Sequence, residues 1–432
     1  MYRSTLKPAL VAALFVPCLL LTACGMEAGP EVLRPPVSPE TALVESRAPI
    51  HNGYVWNAAS GKVVPVRYAK VGGLAVVEGD IVIGSVAEVE ARTREVEAQG
   101  GPEAGIVHAQ GAVITDNQYW WRWPNGVVPY TIAQDVAQPS RLAAAINAWQ
   151  QVTPIRFVLR TASNAAQYPN YVTFRATDTP GGNFSNVGRQ PTPQSVQLSS
   201  GATTGIMIHE IGHVLGMWHE HTRTDRNAYV RILWENIIPA YSGDFDIRPP
   251  FTRDVVAYDY NSIMHYGPYI ASKNGLPTIE ALGGQAIGQD TAPSAGDVAT
   301  IRSIYSSDDS EFFVQQLYTD VLNREPDTSG FVYYLGSMNG CSGNQACLDS
   351  ARVSAARSLF ESAEHRQQHP ELDPSSPNYK AAYINNCYTS FLRRPHGPGD
   401  GTYWLDFLNS TSDYNAVIRG FITAAEYRSR FM

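Results

Sequence analysis

The sequence predicts an α+β protein of three successive bodies: a small strand-rich segment, a mixed body, and an all-helical end. Three observations predict it. Strand-like alternation broken by glycine turns fills Tyr54 to Ser85, as in VVPVRYAKVGGLAVVEGDIVIG. From about Ala112 strand and helix patterns follow one another. After Tyr305 helical patterns dominate, and one segment repeats seventy positions on. At 432 residues the chain is too long for one ordinary domain. A hydrophobic fraction of 44% with 17% charged residues supports a folded chain. Net charge is −8 and the pI is about 5.7, which argues against nucleic acid as a partner, because phosphate binding needs a basic face.

The chain opens with Arg3 and Lys7, an apolar run from Ala9 to Leu21, and the tetrapeptide LTAC ending at Cys24. This resembles a bacterial lipoprotein signal, cut before Cys24 and lipidated on its sulfur. The alternative is an ordinary secretory signal cut at a small residue. Either implies export and removal of residues 1–23. Gly25 stands where inner-membrane lipoproteins usually carry aspartate, which implies the outer membrane as anchor. The apolar run is too short for a membrane span. Residues 24–50, rich in Pro, Glu and Ala, read as a tether.

The strand-rich segment ends in a helix-compatible patch, VAEVEARTREVEAQ, and a break, GGPEAG, so residues 51–111 form one unit. The mixed body, 112–307, begins with a strand at VVPYTIA. Ser140 is the expected N-cap of SRLAAAINAWQQV, where Ile146, Trp149 and Val152 recur at helical spacing. IRFVLR, YVTFRAT and SVQLSS read as strands. In the helical end, 308–432, FVQQLYTDVLNR from Phe313 aligns with YINNCYTSFLRR from Tyr383, and LFESAEHR with FITAAEYR. Its Tyr and Trp positions read as core. Cys387 replaces Leu317 in the repeat and is expected to be a buried thiol. Cys341 and Cys347 can bridge each other, although three pairings exist in principle.

Chemistry concentrates in HEIGHVLGMWHEHTRTDR, His209 to Arg226. His209 and His213, four apart, share one face of a helix and can share a metal. Gly216 allows a sharp turn with positive φ, so that His219 can swing back to the same ion. Three neutral nitrogens leave coordination positions open, as a catalytic zinc requires. Glu210 is placed to take a proton from a zinc-bound water and pass it to a leaving amine.

This stretch resembles the astacin family of metzincin zinc endopeptidases, a fold with two lobes. Glu220 directly after the third histidine, and the Arg223–Asp225–Arg226 run, are features of astacins. YDYNSIMHYG, Tyr258 to Gly267, resembles the family's Met-turn. The resemblance implies one zinc ion, Met264 packed beneath it, and Tyr266 as an additional zinc ligand that swings away to stabilise the oxyanion. Met264 and His265 are not expected to be ligands. WPNGVVPYTI, TPIRFV, SNVGR, VQLSS, NGLPTIEAL and SAGDVATIRSIY are similar to family segments in the same order. SVQLSS would be the edge strand that binds an extended protein or peptide substrate. Pro154, Asn183 and Gly201 stand at three of the family's cysteine positions, so packing must replace those disulfides. Asn227 stands where the family often has aspartate.

VVEGDIVIG is similar to the family's propeptide motif, in which an aspartate, here Asp80, occupies the zinc and keeps the precursor latent; the other reading is a plain Gly-Asp turn. The resemblance also implies that a new N-terminus at Gly111 or Ala112 meets Glu220. No Lys or Arg lies just upstream, so self-cleavage or a protease unlike trypsin is expected to activate it. The helical end resembles a small domain of unknown function on secreted bacterial proteins. The expectation is an exported, monomeric zinc endopeptidase, in the outer membrane or outside the cell. The competing expectation is a catalytically silent binding or adhesion protein that works through the repeats.

Overall fold

The computed structural model describes residues 49–57, 62–98, 101, 121–179, 182–248, 252–397 and 399–431. The proposed signal, Cys24, and the residues Gly111 and Ala112 lie outside them. No helix among the described residues is long and apolar enough to cross a membrane.

The N-terminal segment is an antiparallel meander of β1 (Ile50–Asn57), β2 (Lys62–Val71), β3 (Leu74–Val77) and β4 (Ile81–Ser85), closed by α1 (Val86–Ala98). Ser85 and Glu88 bond each other's backbone N–H groups at the start of α1, as in a capping box. Tyr68, Ala75, Val77, Ile81 and Val89 form its small core. The turn from β3 to β4 holds Glu78 at φ 48° and Gly79 at φ 98°. This turn presents both Glu78 and Asp80 to His219.

The mixed body is built on a parallel sheet of β5 (Val127–Ile132), β6 (Arg156–Leu159), β7 (Val172–Ala176) and β8 (Gln194–Leu198), in the order β6-β5-β7-β8. Two helices pack on it and on each other, α2 (Pro139–Val152) and α3 (Thr204–Val214). Ser140 is not the N-cap of α2. Gln138 takes that place because Pro139, with its fixed φ and no N–H, fits the first helical position better. Thr203 caps α3, accepting from the Ile206 N–H at 3.1 Å. A second lobe follows, in which β9 (Val230–Ile232) pairs with β10 (Ile279–Ala281) over Tyr241, Phe245 and Tyr258. Where a family cysteine would stand, Asn183 accepts from the Ser199 N–H at 2.9 Å, a hydrogen bond in place of a covalent one.

The edge-strand expectation needs a correction. β8 does end its sheet, but its outer edge is taken: Phe184 and Gln197 exchange backbone bonds at 2.8 and 2.9 Å. The rim facing the cleft is Phe184–Ser185. Ser185 in turn bonds the N-terminal segment, donating to the Asp80 carbonyl at 3.0 Å and accepting from the Val82 N–H at 2.8 Å.

α4 (Ala295–Ile304) leads from the mixed body into the helical end. Then come α5 (Ser310–Leu317), a π turn at Tyr318–Leu322, α6 (Thr328–Asn339), α7 (Gln345–Phe360) and α8 (Ala363–Gln368). The second copy is α9 (Tyr379–Phe391), α10 (Asp400–Thr411), α11 (Tyr414–Ile422) and α12 (Ala425–Arg428). The repeat extends to contacts. Arg324 lies over Tyr318 and pairs with Glu364 at 2.6 Å; Arg394 lies over Tyr388 and pairs with Glu426 at 2.5 Å. Cys341 and Cys347 form a disulfide, and Cys387 is a buried free thiol. Not every aromatic is core: Tyr333 is 74% exposed and Tyr403 66%, whereas their neighbours Tyr334 and Trp404 pack inward. These helices share one apolar core with the mixed body, running from Trp121 through Met264 and Ile304 to Phe431.

Candidate metal centre and active site

α3 carries His209 and His213 on one face, as their spacing demands. Gly216, at φ 108°, ends the run, and a Cβ there would strike the Trp121 ring. The chain then turns back and delivers His219. Each imidazole is fixed through Nδ1: His209 to the Ile263 carbonyl at 2.7 Å, His213 to the Met217 carbonyl at 2.8 Å, and His219 to Glu78 Oε2 at 2.7 Å. With Nδ1 occupied, each ring presents Nε2 inward. Asp80 stands among these nitrogens, with carboxylate oxygens 3.3 Å from His209, 3.6 Å from His213 and 3.4 Å from His219.

These four donors fit a metal ion. Their ligand atoms lie within 4.8 Å of one another. Tetrahedral zinc with nitrogen ligands at about 2.0–2.1 Å sets neighbouring donors about 3.3 Å apart; His209 and His219 Nε2 are 3.1 Å apart. His213 Nε2 and Asp80 Oδ1 are buried with no hydrogen-bond partner, an arrangement that is costly unless something binds there.

Glu210, buried beside the cluster, accepts from Ser185 Oγ at 2.6 Å. Burial, reinforced by the charge on Asp80, pushes its carboxyl up to about 8. Burial works to raise Asp80 as well, but the charge of His219 and the closeness of all three imidazoles hold it well below the usual carboxylate range. Met264 is fully buried under the histidines, its sulfur against Gly212, where a Cβ would collide with it. Asp297 holds this turn by accepting from Ser262 Oγ at 2.6 Å and the Ile263 N–H at 2.9 Å. His265 turns away, to the Tyr258 hydroxyl at 2.7 Å.

The Tyr266 hydroxyl donates to the Glu78 carbonyl, and its ring stacks on His221 at 4.1 Å. Asp80 therefore stands beside the three nitrogens while Tyr266 is engaged by the same turn. Glu220 accepts from the Asp259 N–H at 2.8 Å and lies 3.3 Å from Arg223. Burial pushes it up to about 8 although Arg223 opposes this. Sequence reading missed Glu78, Arg248, Ser185 and His221. Glu78 had one legible sign, a charge between the apolar pair Val76–Val77 and the Gly79–Asp80 turn. Arg248, which pairs with Glu78, had none.

A family model described as Astacin (Peptidase family M12A) matches residues 115–306. Residues 115–306 form an astacin-family domain. A second model, Domain of unknown function (DUF4214), matches residues 299–349. The relatives include Protein SpAN of Strongylocentrotus purpuratus, 30% identical over 71% of this chain and 49% of its own length. Zinc metalloproteinase nas-4 of Caenorhabditis elegans is 32% identical over 44% of this chain and 60% of its own. The chain thus spans about half the length of these curated relatives. Among solved structures, High choriolytic enzyme 1, a hatching enzyme zinc-protease from Oryzias latipes, is 34% identical; the match covers 43% of this chain and 93% of that one, with a TM-score of 0.38. The family cofactor is zinc, and His209, His213 and His219 form the group that fits it.

Proposed function

We propose that this chain is the latent precursor of an exported zinc endopeptidase. Residues 51–111 act as propeptide, 112–307 as catalytic domain and 308–432 as a helical two-repeat domain. The observation that carries the reading is the convergence of three histidine Nε2 atoms on one point beside buried Glu210, with Asp80 seated among them.

Zinc held by His209, His213 and His219 would supply a Lewis acid and make a nearby water acidic. Glu210 takes the proton of the attacking water and returns it to the leaving amine. Its buried position beside the three histidines suits a group that must do both. Once free of Glu78, the Tyr266 phenol donates to the developing oxyanion. Met264 supports the histidines from below. A substrate strand would add to the Phe184–Ser185 rim, using the backbone groups now bonded to Asp80 and Val82. Latency follows from Asp80, which takes the position a substrate carbonyl needs. After cleavage near Gly111 or Ala112, the new ammonium would pair with buried Glu220. Export by the N-terminal signal, lipid on Cys24 and a monomeric state belong to the same proposal.

The test is a digest. Activated protein and a Glu210→Ala variant are mixed with a peptide library, and cut sites are read by mass spectrometry. Cleavage by the first alone, abolished by a chelator, is expected. No cleavage by folded, zinc-loaded protein would sink the proposal and leave the repeats as the working part.

A further inference from the structure

The three histidines are not held alike. His209 and His213 place their Nδ1 atoms on backbone carbonyls of the mixed body, Ile263 and Met217, which are permanent partners. His219 has its Nδ1 on a carboxylate that the N-terminal segment lends, Glu78 Oε2 at 2.7 Å. The other oxygen of Glu78 pairs with Arg248 Nε. His219 and Glu78 are both fully buried. The turn Glu78–Gly79–Asp80 thus grips one imidazole from both sides, Glu78 at Nδ1 and Asp80 at Nε2, 3.4 Å away. The φ of 48° at Glu78 lies in a region that costs a non-glycine residue free energy, so the turn is held by these contacts and not by local preference.

A metal-bound imidazole carries its proton on the far nitrogen, and a carboxylate accepting that proton fixes the ring and makes it a better donor. The geometry points to Glu78 as a positioning residue for the metal: it completes the outer support of His219, so that the precursor holds zinc more tightly than the same three histidines without it. Arg248 keeps the Glu78 carboxylate in place by pairing with its second oxygen. This assigns the N-terminal segment a part in loading the centre, separate from blocking it through Asp80. The inference rests on the zinc reading of the site proposed above.

The experiment measures zinc affinity of the full chain by competition with a chromophoric chelator, in a Glu210→Ala background that prevents self-processing. Asp80→Asn is added throughout, so that the carboxylate facing the metal cannot confuse the result. Glu78→Gln is expected to weaken zinc binding about tenfold, and Glu78→Leu with Arg248→Met, which leaves no stranded charge, about 10- to 100-fold. His213→Ala sets the scale for loss of a true ligand. A change under about threefold in both Glu78 variants, with the parent binding one zinc, would overturn this inference alone. A parent that binds no zinc would overturn the metal reading with it. Looser hydrogen exchange in residues 74–85 with unchanged zinc affinity would show that Glu78 is only an anchor, and would also overturn it.

Discussion

The two ends of the chain dock on the same mixed body by opposite means. The N-terminal segment meets it through polar groups and small separate clusters. Asp80 and Glu78 reach the histidines, Val82 and Ser185 share backbone bonds, and Tyr68 and Val77 join a patch with Val187 and Trp218. The helical end meets it through a continuous apolar core. Several buried polar groups at that second interface are paired. Arg122, fully buried, donates to the Ile304 carbonyl at 3.0 Å, Asp309 at 3.0 Å and Glu311 at 2.7 Å. Arg189 reaches Glu325 at 2.7 Å, and Gln316 and Arg430 bond Asn125. An interface of charges and short bonds can be released once cut. One made of shared core cannot be separated without exposing that core to water.

The largest expected effect comes from removing residues 308–432. Phe312, Phe313, Leu317 and Phe431 would vanish from a core that includes Trp121 and Tyr305. The shortened chain is expected to lose cooperative thermal unfolding; a melting temperature within a few degrees of the full chain would show that the mixed body does not depend on the shared core. Next is Arg122→Met, which leaves two carboxylates at the interface short of a partner. A loss of about 3 kcal/mol in urea unfolding is expected, discounted because Arg253 still pairs with Asp309.

Asp80→Asn probes the polar N-terminal interface. It should change global stability by less than about 1 kcal/mol yet raise peptidase activity of the uncut chain, measured on a fluorogenic peptide. Unchanged latency would mean that Glu78 and the rim bonds suffice. The smallest effect is in pH. Burial works to raise Asp309, but Arg122 and Arg253 hold it below its ordinary value. Because the folded value is the lower one, its stabilisation is full above the unfolded value of about 3.9 and is lost as pH falls through the folded value. The contribution of this pair to the melting temperature is expected to be level from about pH 7 to 5 and to fade below about 4. Arg122→Met should blunt that acid-side loss.

Local signals determined much of this protein. Spacing of four put His209 and His213 on one helical face, and Gly216 turned the chain at the position its lack of a side chain predicts. The repeat offset located Cys387 in a buried helix position. These features depend on neighbours within one turn or one repeat, where backbone geometry leaves few choices. Tertiary structure alone decided that Arg248 meets Glu78, 170 residues away, that Phe184 covers the β8 edge, and that Arg122 joins Asp309 and Glu311. Such pairings come from folding distant segments onto one another. A lone arginine in sequence does not show which carboxylate it will be buried against.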